Sequence, residues 1–311
     1  MRHLLTTALV AAAALLAAIL PAALLAPAAS ATAFGIGDQS PSMFTDSRFT
    51  ALKKVRIVRY IAPWDVQNDP EQRDLADAWI AEAKAKGYLI HFTFNYSSRT
   101  PERLPSVAAY TKATSAFVLR HRLDVETWGV FNEANRGTVA GRFATPGPVR
   151  AAQYFTAFRT TICRGCKIVG LDVLDGQTIA PTLAYVKAFK RAVGPVQPKI
   201  WGFHNYSDTN RASTERTGAF LKAVKGQVWI TETGGLYRLG NSFKPNEARQ
   251  ATATRQVFAI ARKYPRLTRV YLYNWFGPGV DRPDDVFDAG LISGSGKARP
   301  AYQVVKAFLG G

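Results

Sequence analysis

Cysteine is almost missing from this chain: 311 residues hold two, Cys163 and Cys166, in the run C-R-G-C. That excludes a disulfide scaffold, and a chain of this length buries a large core without one. It also argues against a zinc site, because none of the four histidines lies close to the pair in sequence. Nothing else of a thioredoxin-like fold accompanies the C-x-x-C spacing. The expectation is therefore a small disulfide ring closed in an oxidising compartment, which contributes roughly 2 kcal/mol on the chain-entropy relation. Acidic residues are scarce as well, 22 against 40 basic ones, for a net charge of +18. The excess suits a polyanion such as an anionic cell-wall polymer, or simply keeps the surface solvated. The basic residues are spread rather than clustered and no nucleic-acid-binding motif goes with them, so nucleic acid is not the expected partner. A glycine-rich phosphate loop is missing too: GIGDQS, after the first strand-like run, is no G-x-G-x-x-G. After residue 33 no apolar run is long enough to span a bilayer.

What stands before that point reads as a leader. MRHLLTTALVAAAALLAAILPAALLAPAASATA has Arg2, a long Ala/Leu run and the small-residue pattern Ala31-Thr32-Ala33, an A-x-A cleavage site. The run is long enough to raise an uncleaved anchor as the alternative. Its prolines, Pro21 and Pro27, and the cleavage pattern favour removal. No Cys follows to carry a lipid and no Arg-Arg pair precedes the run. Residues 1–33 are thus expected to be a secretory signal peptide, and residues 34–311 one exported domain, soluble, monomeric, and extracellular or wall-associated.

From Ala33 onward strand-like and helix-like runs alternate without a linker. AFGIG, VRIVRYIA, YLIHFTF, TWGVFN, KIVGLDV, KIWGFHNY, VWITE and RVYLYNW read as strands, each followed by a helical stretch. The best marked helix has Asp69 as N-cap, Pro70 in its first turn and a stop at Gly87. Most strand runs are too uniformly apolar for a sheet with one wet face and fit strands covered on both sides. Eight such units point to an α/β fold, a single (β/α)8 TIM barrel, for which about 250 residues is typical. A doubly wound open sheet is the alternative, weakened by the missing phosphate loop.

Barrel enzymes carry their chemistry at the C-terminal ends of strands. The second run closes on Arg59, Trp64 and Asp65, and the fourth on Asn132 and Glu133. His204 and Tyr206 close the sixth, Glu232 the seventh and Trp275 the eighth. Period-two parity puts Val55, Ile57 and Arg59 on one face, Ile200, Gly202, His204 and Tyr206 on another, and Val228, Ile230 and Glu232 on a third. On that parity Arg59, His204, Tyr206 and Glu232 face the barrel axis, while Trp201 and Phe203 point to the helices. Singly, each has a plainer explanation: a strand-end Glu as a surface contact, a lone His as a core residue, Trp275 as filling like Trp201 and Trp229. Glu126 lies at the wrong end of the fourth strand and reads as structural. The joint pattern, two glutamates, an Arg, a His-x-Tyr and a Trp on one rim, favours a site.

Asn132-Glu133 closing the fourth strand and Glu232 closing the seventh resemble the clan of retaining glycoside hydrolases built on this barrel, families five and thirty-nine in flavour. Arg59 with Trp64, His204-Asn205-Tyr206, Trp275 and the late AGLISGSGKARPAYQVV resemble further parts of that clan's pattern, so the likeness covers the whole mature chain. One departure stands out: Ala134-Asn135 follows Glu133 where the clan often has Pro-Asn. The resemblance implies Glu133 as acid/base, holding the proton, and Glu232 as nucleophile, kept ionised by Arg59 and Tyr206. It implies Asn132 on the sugar 2-hydroxyl, His204 hydrogen-bonded in the site or to the sugar, and Trp275 as a platform under the sugar. A poly- or oligosaccharide is the expected partner, with no metal or other cofactor. Tyr96, Tyr237 and Phe276 are further aromatic candidates, and Asp38, Asp65 and Asp172 further hydroxyl binders. A catalytically silent carbohydrate-binding barrel is the alternative function.

Overall fold

The computed structural model describes residues 32–137, 142–278 and 287–311. Residues 1–31 of the expected leader lie outside them. Eight strands close into a parallel barrel: β1 (Ala33–Gly37), β2 (Ile57–Pro63), β3 (Leu89–Asn95), β4 (Thr127–Gly129), β5 (Lys167–Leu174), β6 (Ile200–His204), β7 (Gln227–Thr233) and β9 (Leu267–Tyr273), which pairs back onto β1. The helices are α1 (Ser47–Thr50), α2 (Pro70–Ala85), α3 (Val107–His121), α4 (Pro148–Ala157), α5 (Ala180–Val193), α6 (Tyr206–Asn210), α7 (Glu215–Ala223), α8 (Glu247–Lys263) and α9 (Pro300–Leu309). A two-stranded antiparallel sheet of β8 (Arg238–Leu239) and β10 (Phe287–Asp288) lies on the loops that follow β7 and β9. The single α/β barrel is the architecture expected from the alternating runs. Among the described residues no helix is long and apolar enough to cross a membrane.

Local chemistry explains where elements start and stop. Asp69 accepts a hydrogen bond from the Gln72 amide ahead of Pro70 in α2, and Gly87, at φ +74°, lets the chain turn away after it. Ser106 and Asn246 cap α3 and α8 in the same way. The disulfide joins Cys163, at the end of the helical turn after α4, to Cys166, just before β5. It therefore sits at the N-terminal end of the barrel, away from the rim.

The barrel interior is layered. Ile57, Val169, Ile200, Trp229 and Tyr271 fill its lower part, while a larger apolar cluster lies between strands and helices. Parity holds within β6 and for Ile57 and Arg59 on β2, though Val55, ahead of the strand, packs in the outer cluster, and it fails on β7. Trp229 belongs to the interior cluster, whereas Val228 and Ile230 belong to the outer one. Between the pairs Gly202–Trp229 and His204–Glu232, β7 carries one residue more than β6. That bulge returns Glu232 to the interior behind Thr231. Tyr206 departs from parity as well, because β6 ends at His204 and Tyr206 opens α6. At the bottom, Glu126 receives two hydrogen bonds from Arg269 and one from Lys167, and both cations flank the Trp229 ring. Burial raises the Glu126 pKa, but the bonds from Arg269, Lys167 and Thr127 outweigh it and bring the group to about 2. This is a structural ion cluster.

Candidate active site

A cavity of about 530 Å³ opens at the C-terminal ends of the strands, with Asn132, Glu133, Tyr206, Glu232 and Tyr273 in its wall. Beneath it lies a buried polar cluster. Arg59, on β2, is 1% exposed and donates from Nη1 to Glu232 Oε2 at 2.7 Å and from Nη2 to Asn132 Oδ1 at 2.7 Å and Asp172 Oδ2 at 3.1 Å. Tyr206 donates its hydroxyl to Glu232 Oε1 at 3.0 Å, so both oxygens of that carboxylate are held. Asp172 also accepts from Thr231 Oγ1 at 2.5 Å. Its neighbour on β6 is Gly202, where a Cβ would come within 2.5 Å of Asp172 Oδ1, so only glycine leaves room for this buried carboxylate.

Glu133 is positioned differently. The β4 ladder ends at Gly129, and the chain then turns through Asn132 to Glu133, whose φ is +44°. A non-glycine residue in this left-handed region costs on the order of 1–3 kcal/mol and persists only where surrounding bonds over-determine it. Here Asn132 N donates to Phe94 O, Ala134 N to Asp172 O, and Arg136 N to Glu133 O. Asn135 adds a clamp: its Nδ2 donates to Leu174 O and its Oδ1 accepts from Leu174 N, both at 2.8 Å. The Glu133 carboxyl takes His204 Nδ1 at 3.0 Å on Oε1 and Arg136 Nη1 at 3.2 Å on Oε2.

These contacts set the protonation. Burial works against charge on His204, but Asp172, with Nε2 at 3.1 Å from its Oδ1, and Glu232 outweigh it and raise the imidazole to about 10. Burial likewise raises Glu133, yet the His204 bond and charge and the Arg136 charge carry it below the ordinary carboxylate value. Both cations that bond it favour the Glu133 anion, against the expectation that Glu133 keeps the proton. Asp172 is held well down despite burial, by His204 and Arg59.

The rim differs from expectation at several places. Trp275 is fully buried outside the cavity wall, donating Nε1 to Asp46 and packing on Phe49 and Tyr302. The β9 strand ends at Tyr273, so parity does not extend to Trp275, and it is Tyr273 that lines the cavity with its hydroxyl on Gln39. Trp64 also lies off the cavity, packed against the outer core. Among the further candidates Tyr96 lines it, whereas Tyr237 and Phe276 do not. Asp38 accepts from the Phe276 and Ser40 amides, Asp65 from Ser97, and Asp172 is fully buried, so none of the three faces a sugar. His204, also fully buried, holds Glu133 and Asp172 rather than substrate.

Sequence reasoning passed over Arg136, Asp175, Arg211, Phe243 and Phe287, all in the wall. Arg136, Asp175, Arg211 and Phe243 come from loops with no strand period to mark them, and Phe287 from the two-residue β10, too short to show one. Burial lifts Asp175 to about 7, against two backbone amides that bond its Oδ2.

Glu133, His204 and Glu232 place one ligand atom each within 4.8 Å of one another, the one such group among the described residues. They fit a cation poorly, because Arg59 and Arg136 already bond the two carboxylates and His204 Nδ1 bonds Glu133.

A closed (β/α)8 barrel whose fourth and seventh strands deliver two glutamates to one rim cavity is the form of a barrel glycosidase. Residues 83–304 match the family model described as glycosyl hydrolase catalytic core, and the chain belongs to that family. It is a glycoside hydrolase. No curated protein sequence matches the chain. Among solved structures it is similar to the GH5_18 protein of Streptomyces cattleya in complex with GlcNAc, at TM-score 0.67 and 14% identity over 89% of this chain and 79% of that one. It is also similar to xylanase 10B of Thermotoga maritima, at 0.62 and 16% over 89% and 94%, respectively. A family 39 glycoside hydrolase of Bacteroides cellulosilyticus WH2 matches at 0.59 and 14% over 90% of this chain and 64% of that one. At such identities the likeness is one of fold, shared with families 5, 10 and 39 of the clan.

Proposed function

We propose that the protein is a secreted retaining glycosidase that cleaves a poly- or oligosaccharide by double displacement, with Glu232 as nucleophile and Glu133 as acid/base. One observation carries the mechanism: an oxygen of each carboxylate lies within 4.8 Å of the other. That lies nearer the separation of about 5–5.5 Å used for retention than the about 6.5–9.5 Å used for inversion.

Glu232 attacks the anomeric carbon as the anion that Arg59 and Tyr206 stabilise. The leaving oxygen takes its proton from Glu133, supplied along the His204 Nδ1–Glu133 Oε1 contact. A substrate that draws Arg136 away from Oε2 removes one cation from Glu133 and raises its proton affinity. In the glycosyl-enzyme the charge of Glu232 is gone, so Glu133 loses a repelling neighbour and acts as base toward water. Asn132, oriented by Arg59, offers its amide N–H to the sugar 2-hydroxyl. Tyr273 takes the platform role first expected of Trp275. A silent carbohydrate-binding barrel would not need both Arg59 and Tyr206 committed to Glu232.

The test separates the two carboxyls. Glu232→Gln should abolish hydrolysis while saccharide binding persists. Glu133→Ala should slow poor leaving groups far more than activated aryl ones, and azide should restore turnover. Proton NMR of the first-formed product should show the retained anomer; inversion would overturn the assignment.

A further inference from the structure

The charged side chains of the cavity wall are Glu133, Arg136, Asp175, Arg211 and Glu232. Glu232 is held by Arg59 and Tyr206, Glu133 by His204 and Arg136, and Asp175 by the amides of Ser207 and Asp208. Of these five wall groups, Arg211 alone has a side chain with neither a hydrogen bond nor an ion pair to the described residues.

Arg211 is nevertheless well placed. Its guanidinium lies 5.2 Å from the centre of the Phe243 ring, which Arg249 also flanks. It follows directly on α6, and α6 is locked to the β7 loop: Asn210 donates to Tyr206 O and Gly234 O and accepts from Leu236 N. A guanidinium over an aromatic ring still has N–H groups to donate, and its fork matches the two oxygens of a carboxylate or sulfate. Tyr206, at the other end of α6, bonds Glu232. Arg211 stands at the C-terminal end of that helix, and both residues line the cavity wall.

We infer that Arg211 binds an anionic substituent, carboxylate or sulfate, on the sugar next to the one being cleaved, so that the substrate class is an acidic saccharide. This rests on the glycosidase reading and adds to it a substrate charge.

The test is calorimetric binding to the Glu232→Gln protein of matched neutral and acidic ligands. The pairs are xylotetraose with and without a glucuronic acid branch, cellotetraose against carboxymethylated cellotetraose, and a desulfated carrageenan tetrasaccharide against its sulfated parent. At least one acidic member should bind tenfold or more tightly than its partner, and which one separates carboxylate from sulfate. Adding Arg211→Gln should erase that preference with neutral binding within twofold. Adding Arg255→Gln, an exposed cation of α8 outside the cavity wall, should preserve it. The inference is overturned if no acidic member outbinds its partner, or if the preference survives Arg211→Gln. A wild-type protein that shows the preference yet hydrolyses nothing sustains the Arg211 site and overturns the catalytic assignment instead.

Discussion

Arg59 and His204 are each fully enclosed, and each touches more than one carboxyl or amide of the site. Asp172 joins them from below and never meets solvent. Such an arrangement fixes side chains that a bare rim of carboxylates would leave to rotate. It also ties stability to pH through His204. Its folded-state pKa, about 10, lies above the ordinary 6.5. A group raised on folding contributes stability that is complete below its unfolded pKa and lost as pH climbs through the folded one. The thermal midpoint should therefore fall between pH 7 and pH 10, and His204→Gln should flatten that slope while lowering the midpoint at pH 7. Parallel slopes in calorimetry of the two proteins would show that His204 does not hold the proton.

At the scale of elements, the loop after β4 carries Glu133, the proposed acid/base, in a left-handed conformation that a non-glycine residue disfavours. Asn135 holds it against the end of β5 through both atoms of its amide. Asn135→Ala removes both part-buried bonds and leaves the Leu174 amide to find another partner, while its carbonyl keeps Thr182 Oγ1, at a cost of about 1–3 kcal/mol. Because Glu133 would then relax, kcat should drop by tenfold or more with KM little changed, and the midpoint should fall by a few degrees. A loss confined to KM would mean that the loop serves binding rather than the acid. Ala134-Asn135 stood out in the sequence as a departure from the clan pattern, and the role of Asn135 was not legible there, since its partner is 39 residues away. The strands, their order and the two glutamates just past apolar runs were legible because such runs mark where strands stop, although the parity argued for Glu232 was not the reason it faces inward. The β7 bulge, the helical start at Tyr206 and the exchange of Trp275 for Tyr273 were not, because each depends on where pairing stops or slips. Arg136 and Arg211 are loop residues whose partners are set only by folding.

Across the whole molecule, charge is divided between two uses. Many of the carboxylates are spent inside or on short local pairs, as with Glu126, Asp172 and Asp288, each bonded to arginine. The cations outnumber them by enough to leave the chain at +18. If the surplus serves an anionic cell-wall polymer, it acts through solvent over many weak contacts and not through one built site. Screening then decides the outcome, because the Debye length shrinks from about 10 Å at 0.1 M salt to about 3 Å at 1 M. Retention of the protein on an immobilised polyphosphate or polyuronate should therefore collapse over that range. Turnover of a small neutral aryl glycoside should stay within about twofold, since Arg59, His204 and the two glutamates interact in a water-poor interior where screening is weak. Substituting single exposed cations such as Arg255 should each weaken retention slightly and none abolish it. Retention that persists at 1 M salt would point to a specific pocket, and retention absent even at low salt would leave the charge to solubility alone.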